Sequence, residues 1–295
     1  MAGEFFFGLD ALIDRALEED IGAGDCTTQA VVPKNVSARG VFVTREDGVV
    51  AGLPVAERVF ARLDPAVDCV YRVAEGTEVK AGVVLAEVYG RARAVLTGER
   101  VALNFLRHLS GIATRTALMV GQIGGLQAVV VDTRKTTPGL RTLEKYAVRT
   151  GGGKNHRFGL YDGILIKDNH IRVAGGIKEA VRLARERAPH GFKIEVEAEN
   201  LSQVEEALAA GAEIIMLDNM PAAMMREAVR LIAGRAMIEA SGGITEENIR
   251  AVAATGVDLI SVGALTHSVR ALDISLEIED VSEGMPYAAL RQNEE

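Results

Sequence analysis

From about residue 127 onward the chain alternates short apolar runs with amphipathic stretches, and that alternation restricts the fold more than any other feature. Ala128-Val129-Val130-Val131, Gly163-Ile164-Leu165-Ile166, Lys193-Ile194-Glu195-Val196, Ile214-Ile215-Met216-Leu217, Ala236-Met237-Ile238 and Asp258-Leu259-Ile260-Ser261-Val262 each read as a buried strand. Between them, Ile177 to Ala188, Leu201 to Ala210, Met224 to Ile232 and Glu246 to Ala254 read as helices. Repeated strand–helix units demand a parallel sheet, and at this length the expected form is a barrel. Six strands are evident where a full barrel has eight, so the barrel is either incomplete or hides strands.

The first hundred residues have a different texture. Leu9, Leu12, Ile13, Ala16 and Leu17 recur at helical spacing, whereas Val41-Phe42-Val43 and Val83-Val84-Leu85-Ala86-Glu87-Val88 read as strands. The run from Glu75 to Gly82 resembles a carrier-type hairpin, but Lys80 sits poorly for presentation there, and residues 33–90 hold no catalytic cluster. A long helix is expected from about Glu99 to Ile123. Its apolar face carries Ala102, Phe105, Leu106, Leu109, Ile112 and Ala113, with Arg100, Asn104, Arg107, His108 and Arg115 opposite. That polar face is either plain solvated surface or a surface that meets anions.

Composition excludes several functions. A net charge of −8 argues against general nucleic-acid binding. Cys26 and Cys69 stand far apart in no metal or redox spacing, which points to a reducing, cytoplasmic setting without disulfides. Met1 to Asp20 lacks the basic start of a signal peptide. No apolar run approaches the roughly 20 residues that cross a bilayer, so no membrane partner is expected.

Active sites of parallel α/β folds gather at the carboxyl ends of the strands. Here the runs deliver Asp132-Thr133-Arg134-Lys135-Thr136, Lys167-Asp168-Asn169-His170, Glu197, Asp218-Asn219, Glu239-Ala240-Ser241-Gly242-Gly243, and Gly263 with His267 soon after. Arg134 to Arg172 contains nine Lys or Arg residues against Glu144, Asp162 and Asp168, a net of +6 inside an acidic chain. Such a cluster focuses potential onto anions. Gly151-Gly152-Gly153 in its midst would let a ligand approach the backbone closely. Glu197 and Asp218 suit magnesium or ribose hydroxyls, with Glu195 a rival on the same strand face. Ser241-Gly242-Gly243, ahead of a helix expected near Glu246, suits a phosphate. Together these features call for a phosphosugar with several phosphates plus a second anion.

Arg149 to Leu160 followed by Leu165-Ile166-Lys167-Asp168-Asn169-His170 resembles the signature of quinolinate phosphoribosyltransferases. So do Asp132 to Gly139, Leu109 to Thr114, Glu239 to Ile244 and Glu19 to Asp25. The resemblance spans nearly the whole chain. It implies an α/β fold in two domains: an N-terminal α/β sandwich over 1–115, completed by a tail of about 272–295, and an open α/β barrel of six or seven parallel strands over 116–271. It also implies a homodimer with shared active sites, with higher assemblies in some members. By position, Arg134, His156, Arg157 and Lys167 resemble the residues that hold the two quinolinate carboxylates, with Thr133 beside them and Arg100 supplied across the dimer interface. Lys135 resembles the lysine near the pyrophosphate of phosphoribosyl pyrophosphate. Glu197 and Asp218 resemble the acids near ribose and magnesium (Mg2+), held directly or indirectly. Ser241, Gly242, Gly263 and His267 resemble the 5′-phosphate cradle. The implied reaction yields nicotinate mononucleotide, pyrophosphate and carbon dioxide, within NAD biosynthesis. A Schiff-base aldolase using Lys167, a relative of altered substrate and a non-catalytic phosphosugar sensor are the competing readings.

Overall fold

Helical periodicity near the N-terminus is realised as α1 (Leu9–Ile21), which buries Ile13 and Leu17; the computed structural model describes residues 8–283. α2 (Cys26–Val31) follows, capped by the Asp25 side chain, which accepts the Thr28 amide. Then come β1 (Val36–Thr44), β2 (Gly48–Val49), α3 (Leu53–Leu63), β3 (Asp68–Tyr71), β4 (Glu78–Val79), β5 (Val84–Arg91) and α4 (Ala92–Gln122). α4 begins well before the expected Glu99. Gly98, inside the helix, is a packing contact. A Cβ there would lie 2.9 Å from Phe60 Cδ1 and 3.0 Å from Leu63 Cδ1, so glycine lets α4 close on α3. The carrier-type hairpin is not formed: β4 pairs with β2. The Glu75 carboxylate instead accepts the Gly52 and Leu53 amides at the start of α3.

The six apolar runs after residue 127 are all strands: β6 (Val129–Val131), β7 (Ile164–Ile166), β8 (Ile194–Ala198), β9 (Ile214–Asp218), β10 (Met237–Ser241) and β11 (Leu259–Ser261). The connections carry α5 (Arg141–Thr150), α6 (Asp168–Ala174), α7 (Ile177–Arg187), α8 (Leu201–Ala209), α9 (Ala222–Ile232) and α10 (Ile249–Ala253), and α11 (Ala264–His267) follows β11. The strands pair in parallel in the order β6-β11-β10-β9-β8-β7. That is the cyclic order of a barrel with β6 and β7 left unpaired, so the barrel is open. Lys154 partly fills the gap. Its amide donates to the Val130 carbonyl and its own carbonyl accepts the Asp132 amide, forming a parallel bridge to Val131.

Register decides which side chains face the barrel interior. Glu197 lies opposite Met216, which in turn lies opposite Glu239; two residues on, Asp218 lies opposite Ser241 and Ser241 opposite Ser261. With a side-chain period of two, these positions share the inner face with Glu195 and Ile214.

β12 (Ile274–Glu283) ends the described residues and pairs with β1, giving an antiparallel sheet in the order β12-β1-β5-β3. Residues 284–295 of the expected tail lie outside the described residues. The chain divides into two compact units. One holds residues up to Thr114, Thr142–Gly151 and residues from Val269 on; the other holds Arg115–Arg141 and Gly152–Ser268. In the first, Val55, Ala56, Val59 and Phe60 of α3 are buried, and Phe60 meets Phe42 at 6.1 Å between ring centroids. Most of the expected polar face of α4 is used internally. Arg107 donates to the Leu272 carbonyl, His108 Nε2 lies 2.9 Å from Glu144, and Arg115 donates to the carbonyls of Ala264 and Ser268. Arg100 and Asn104 are exposed. No helix among the described residues is long and apolar enough to cross a membrane.

Candidate active site

A cavity of about 400 Å³ opens at the carboxyl ends of the barrel strands. Thr133, Arg134 and Lys135 reach it after β6, His156 and Arg157 from the bridging segment, and Lys167 after β7. Glu197, Asp218, Asn219, Glu239, Ser241, Gly242, Gly243 and Ser261 complete its wall from β8 to β11. The cationic and acidic positions expected from six separate segments therefore converge within one unit. Gly263 sits just behind the wall: a Cβ there would meet Lys135 Cδ at 3.0 Å and the His267 ring at 3.2 Å. Arg100 belongs to the other unit. A larger groove, about 800 Å³, runs along α7 and α8. Its charges are spent on one another, Arg182 with Glu179 and Glu186, so no set of side chains is left to converge on a ligand.

The cavity is polarised. Lys167 Nζ donates to Glu197 Oε2 at 2.6 Å, linking the cationic wall to the acidic one. Burial, with the neighbouring Arg134, pulls the Arg157 pKa below its usual value. Arg134 Nε is buried without a hydrogen-bond partner. Two crowded guanidiniums, one carrying an orphaned donor, form a site that an anion would relieve; charge-assisted bonds contribute about 1.5–3 kcal/mol each. The Thr133 hydroxyl is turned inward to accept the Lys135 amide at 3.0 Å, so it shapes the turn that presents Lys135.

His156 is held from two sides. Its Nε2 faces Glu195 at 3.2 Å and Glu239 at 3.4 Å, and its Nδ1 accepts the Arg157 amide at 2.8 Å. Burial opposes its charge, but the two carboxylates outweigh it and push the pKa up to about 10. The acids favour an imidazolium, whereas the Arg157 amide favours a lone pair on Nδ1. Both leave the proton on Nε2, toward the acids. Burial raises the Glu195 pKa, with Glu239 adding to the rise and His156 opposing it. Glu195 thus lies one inward position deeper than Glu197. Only Glu197 lines the cavity.

Three supporting residues were not assigned from sequence. Asp132, fully buried at the end of β6, accepts the Asn155 side-chain amide and the His156 backbone amide, pinning the bridging segment. Its signal was an acid directly abutting an apolar run. Glu239 carries the same signal. Asn219 has a positive φ of 53° and donates from its side chain to Asp218. Its Oδ1 would lie 2.2 Å from a Cβ at Gly242, which itself has φ +87°.

Two expectations change. The phosphate-type loop does not run straight into a helix near Glu246. Asn248 accepts the Thr245 amide and donates to the Gly243 carbonyl, so the helix begins only at Ile249 and the loop backbone itself faces the cavity. Gly151-Gly152-Gly153 do not line the cavity; they end α5 and lead into the Lys154 bridge. Glu197 and Asp218 offer only oxygen donors at neighbouring strand ends, a set that fits a hard cation such as magnesium.

Comparison with known proteins agrees with this architecture. A sequence model described as quinolinate phosphoribosyl transferase, C-terminal domain, matches residues 112–277, and one described as the N-terminal domain matches residues 25–110. The chain is 48% identical over 270 residues to a probable nicotinate-nucleotide pyrophosphorylase (carboxylating) of Bacillus subtilis, covering 92% of this chain and 93% of that one. It is 47% identical to the nicotinate-nucleotide pyrophosphorylase (carboxylating) of Mycobacterium leprae, covering 90% and 95%. The crystal structure of NadC from Streptococcus pyogenes superposes with a TM-score of 0.91 at 44% identity, covering 96% of this chain and 99% of that one.

Proposed function

The chain belongs to the quinolinate phosphoribosyl transferase family, and from that premise we propose that it joins quinolinate to phosphoribosyl pyrophosphate, releasing pyrophosphate and carbon dioxide and yielding nicotinate mononucleotide for de novo NAD biosynthesis. The observation that carries this reading is one cavity holding Arg134, Arg157 and Lys167 beside Glu197, Asp218 and the Ser241–Gly243 loop.

Quinolinate brings two negative charges. Arg134 and Arg157 are suited to bind one carboxylate with planar, paired donors, and Lys167 the other. Binding would let Lys167 share its ammonium between substrate and Glu197. Lys135, exposed at the rim, is placed to offset charge on the departing pyrophosphate. The Gly242–Gly243 backbone, with Ser241 and with Gly263 and His267 behind Lys135, would hold the 5′-phosphate. As the bond to pyrophosphate breaks, the ribose carbon becomes cationic, and Glu197 and Asp218 stabilise it from the acidic wall. The pyridine nitrogen attacks that carbon. The resulting pyridinium accepts the electron pair left when the carboxylate next to nitrogen departs as carbon dioxide, and the ring carbon then takes a proton. Positioned charge suffices, so no covalent enzyme intermediate is required. His156 has both ring nitrogens engaged within the protein, which favours a role in supporting Arg157.

Glu197 and Asp218 would hold magnesium, which when bound neutralises phosphate charge. A homodimer in which the partner supplies Arg100 is part of the proposal, consistent with that side chain's exposure on α4. So is a cytoplasmic location, consistent with Cys26 and Cys69 both being free. A Schiff-base role for Lys167 is disfavoured, because its amine is tied to Glu197. The deciding experiment incubates the protein with quinolinate, phosphoribosyl pyrophosphate and magnesium. Nicotinate mononucleotide and pyrophosphate should form in equal amounts. Tight binding of both substrates without product would overturn the reading in favour of a sensor.

A further inference from the structure

Beneath the cavity lies a polar cluster that no step above uses. Glu195 and Glu239 are 4% and 0% exposed, and both face His156 Nε2. The cluster is the floor between two spaces. Above it is the 400 Å³ cavity; below it, a second cavity of about 540 Å³ reaches the amino ends of the strands. His156, Arg157 and Glu239 line both, whereas Glu195 lines only the lower one.

Burying two carboxylates is costly, and the expense is not recovered locally. Glu195 Oε1 and both carboxylate oxygens of Glu239 have no hydrogen-bond partner, and Glu239 meets His156 only as an ion pair at 3.4 Å. An apolar pair would fill the space more cheaply, so stability is a poor reason for these acids. Their charge has a use one layer up. Arg157 spends Nη1 on the Gly163 carbonyl and crowds Arg134, a like charge, with Glu195 and Asp162, which line the lower cavity with it, as its acidic counterweights. The segment that carries Arg157 is pinned by Asp132 at Asn155 and His156, and by His156 to the two glutamates.

We propose that Glu195 and Glu239 are positioning residues: through His156 they clamp the Asn155–Arg157 segment across the open side of the barrel, and Glu195 adds counter-charge that keeps Arg157 beside Arg134 before a dicarboxylate arrives. The inference rests on reading the upper cavity as the quinolinate site. Preorganised binding of this kind separates the two substrates. Quinolinate meets the clamped arginines, while phosphoribosyl pyrophosphate meets the opposite wall.

The test compares Glu195→Gln and Glu239→Gln with the wild-type enzyme, measuring KM for each substrate and kcat. Each variant should raise KM for quinolinate about tenfold or more, with KM for phosphoribosyl pyrophosphate within about twofold and kcat changed less than the quinolinate KM. Folded variants with an unchanged quinolinate KM, or with both KM values raised alike, would overturn the proposal. A stoichiometric metal ion bound by wild-type His156, Glu195 and Glu239 would overturn it too. Should neither variant fold, nitrogen NMR of wild-type His156 decides. Nε2 must stay protonated and hydrogen-bonded with and without quinolinate, and a ring that turns toward the substrate ends the inference. Wild-type turnover in the same assay keeps the two readings apart: no product from wild type removes the proposed function, whereas an active wild type with unaltered variants removes only the clamp.

Discussion

The two units of this protein bury acids in opposite ways. In the antiparallel unit, Glu87 is 3% exposed and fully served: Arg39, Arg72 and the Tyr89 hydroxyl all donate to it. In the barrel, Glu239 is equally buried, yet neither of its carboxylate oxygens has a hydrogen-bond partner and it faces a single imidazole at 3.4 Å. Complete satisfaction holds a sheet together; incomplete satisfaction leaves charge that acts on its surroundings. The same contrast separates the cations. Arg39 is saturated by acids, whereas Arg134 keeps a buried donor idle at the mouth of a cavity.

The largest effect that would break this comparison comes from the cations that line the cavity. Arg134→Ala and Lys167→Ala should each lower quinolinate-dependent kcat/KM by about thirtyfold or more, since removing one partner of a close charge contact costs about 2–5 kcal/mol. Near wild-type turnover in both variants would mean that the cavity is not the site. Gly242→Ala should come next. The new Cβ meets Asn219 at 2.2 Å in a backbone region that favours glycine. KM for phosphoribosyl pyrophosphate should rise roughly tenfold, measured against an unchanged quinolinate KM.

In the other unit the effects fall on stability. Burial opposes ionisation of Glu87, but its three donors outweigh burial and lower the pKa to about 2. A depressed folded-state pKa adds stability that is fully present above the unfolded carboxylate value and lost as pH falls toward 2. Acid titration of unfolding should therefore show a loss of up to about 3 kcal/mol below pH 4.5 that Glu87→Gln abolishes. The smallest effect is expected at the surface. Asp10 pairs with Arg58 in an exposed fork, and Asp10→Asn should leave Tm within error, because solvent screens such pairs.

Much of the architecture was legible from periodicity alone. All six strands fall where apolar runs predicted them, because a parallel strand covered on both faces must be apolar nearly throughout. The cationic and acidic residues at the strand tips were legible too, since charge abutting such a run has nowhere to go but the barrel mouth. Other features were not legible. Gly151-Gly152-Gly153 read locally as ligand-contact backbone, but they serve a helix end. Arg107, His108 and Arg115 looked available for anions until their partners, far away in sequence, came into reach.

Sequence alone located the strands along the chain, the one end at which polar chemistry collects, and the signs of the charges there. It could place Glu195 and Glu197 on one strand face but could not rank them, because a period of two records side and not depth. Depth arises when pairing register stacks β8 against β9 and β10 and sets Glu197 at the cavity with Glu195 beneath His156. Only tertiary structure decides that, since depth is a relation between strands that no single strand carries.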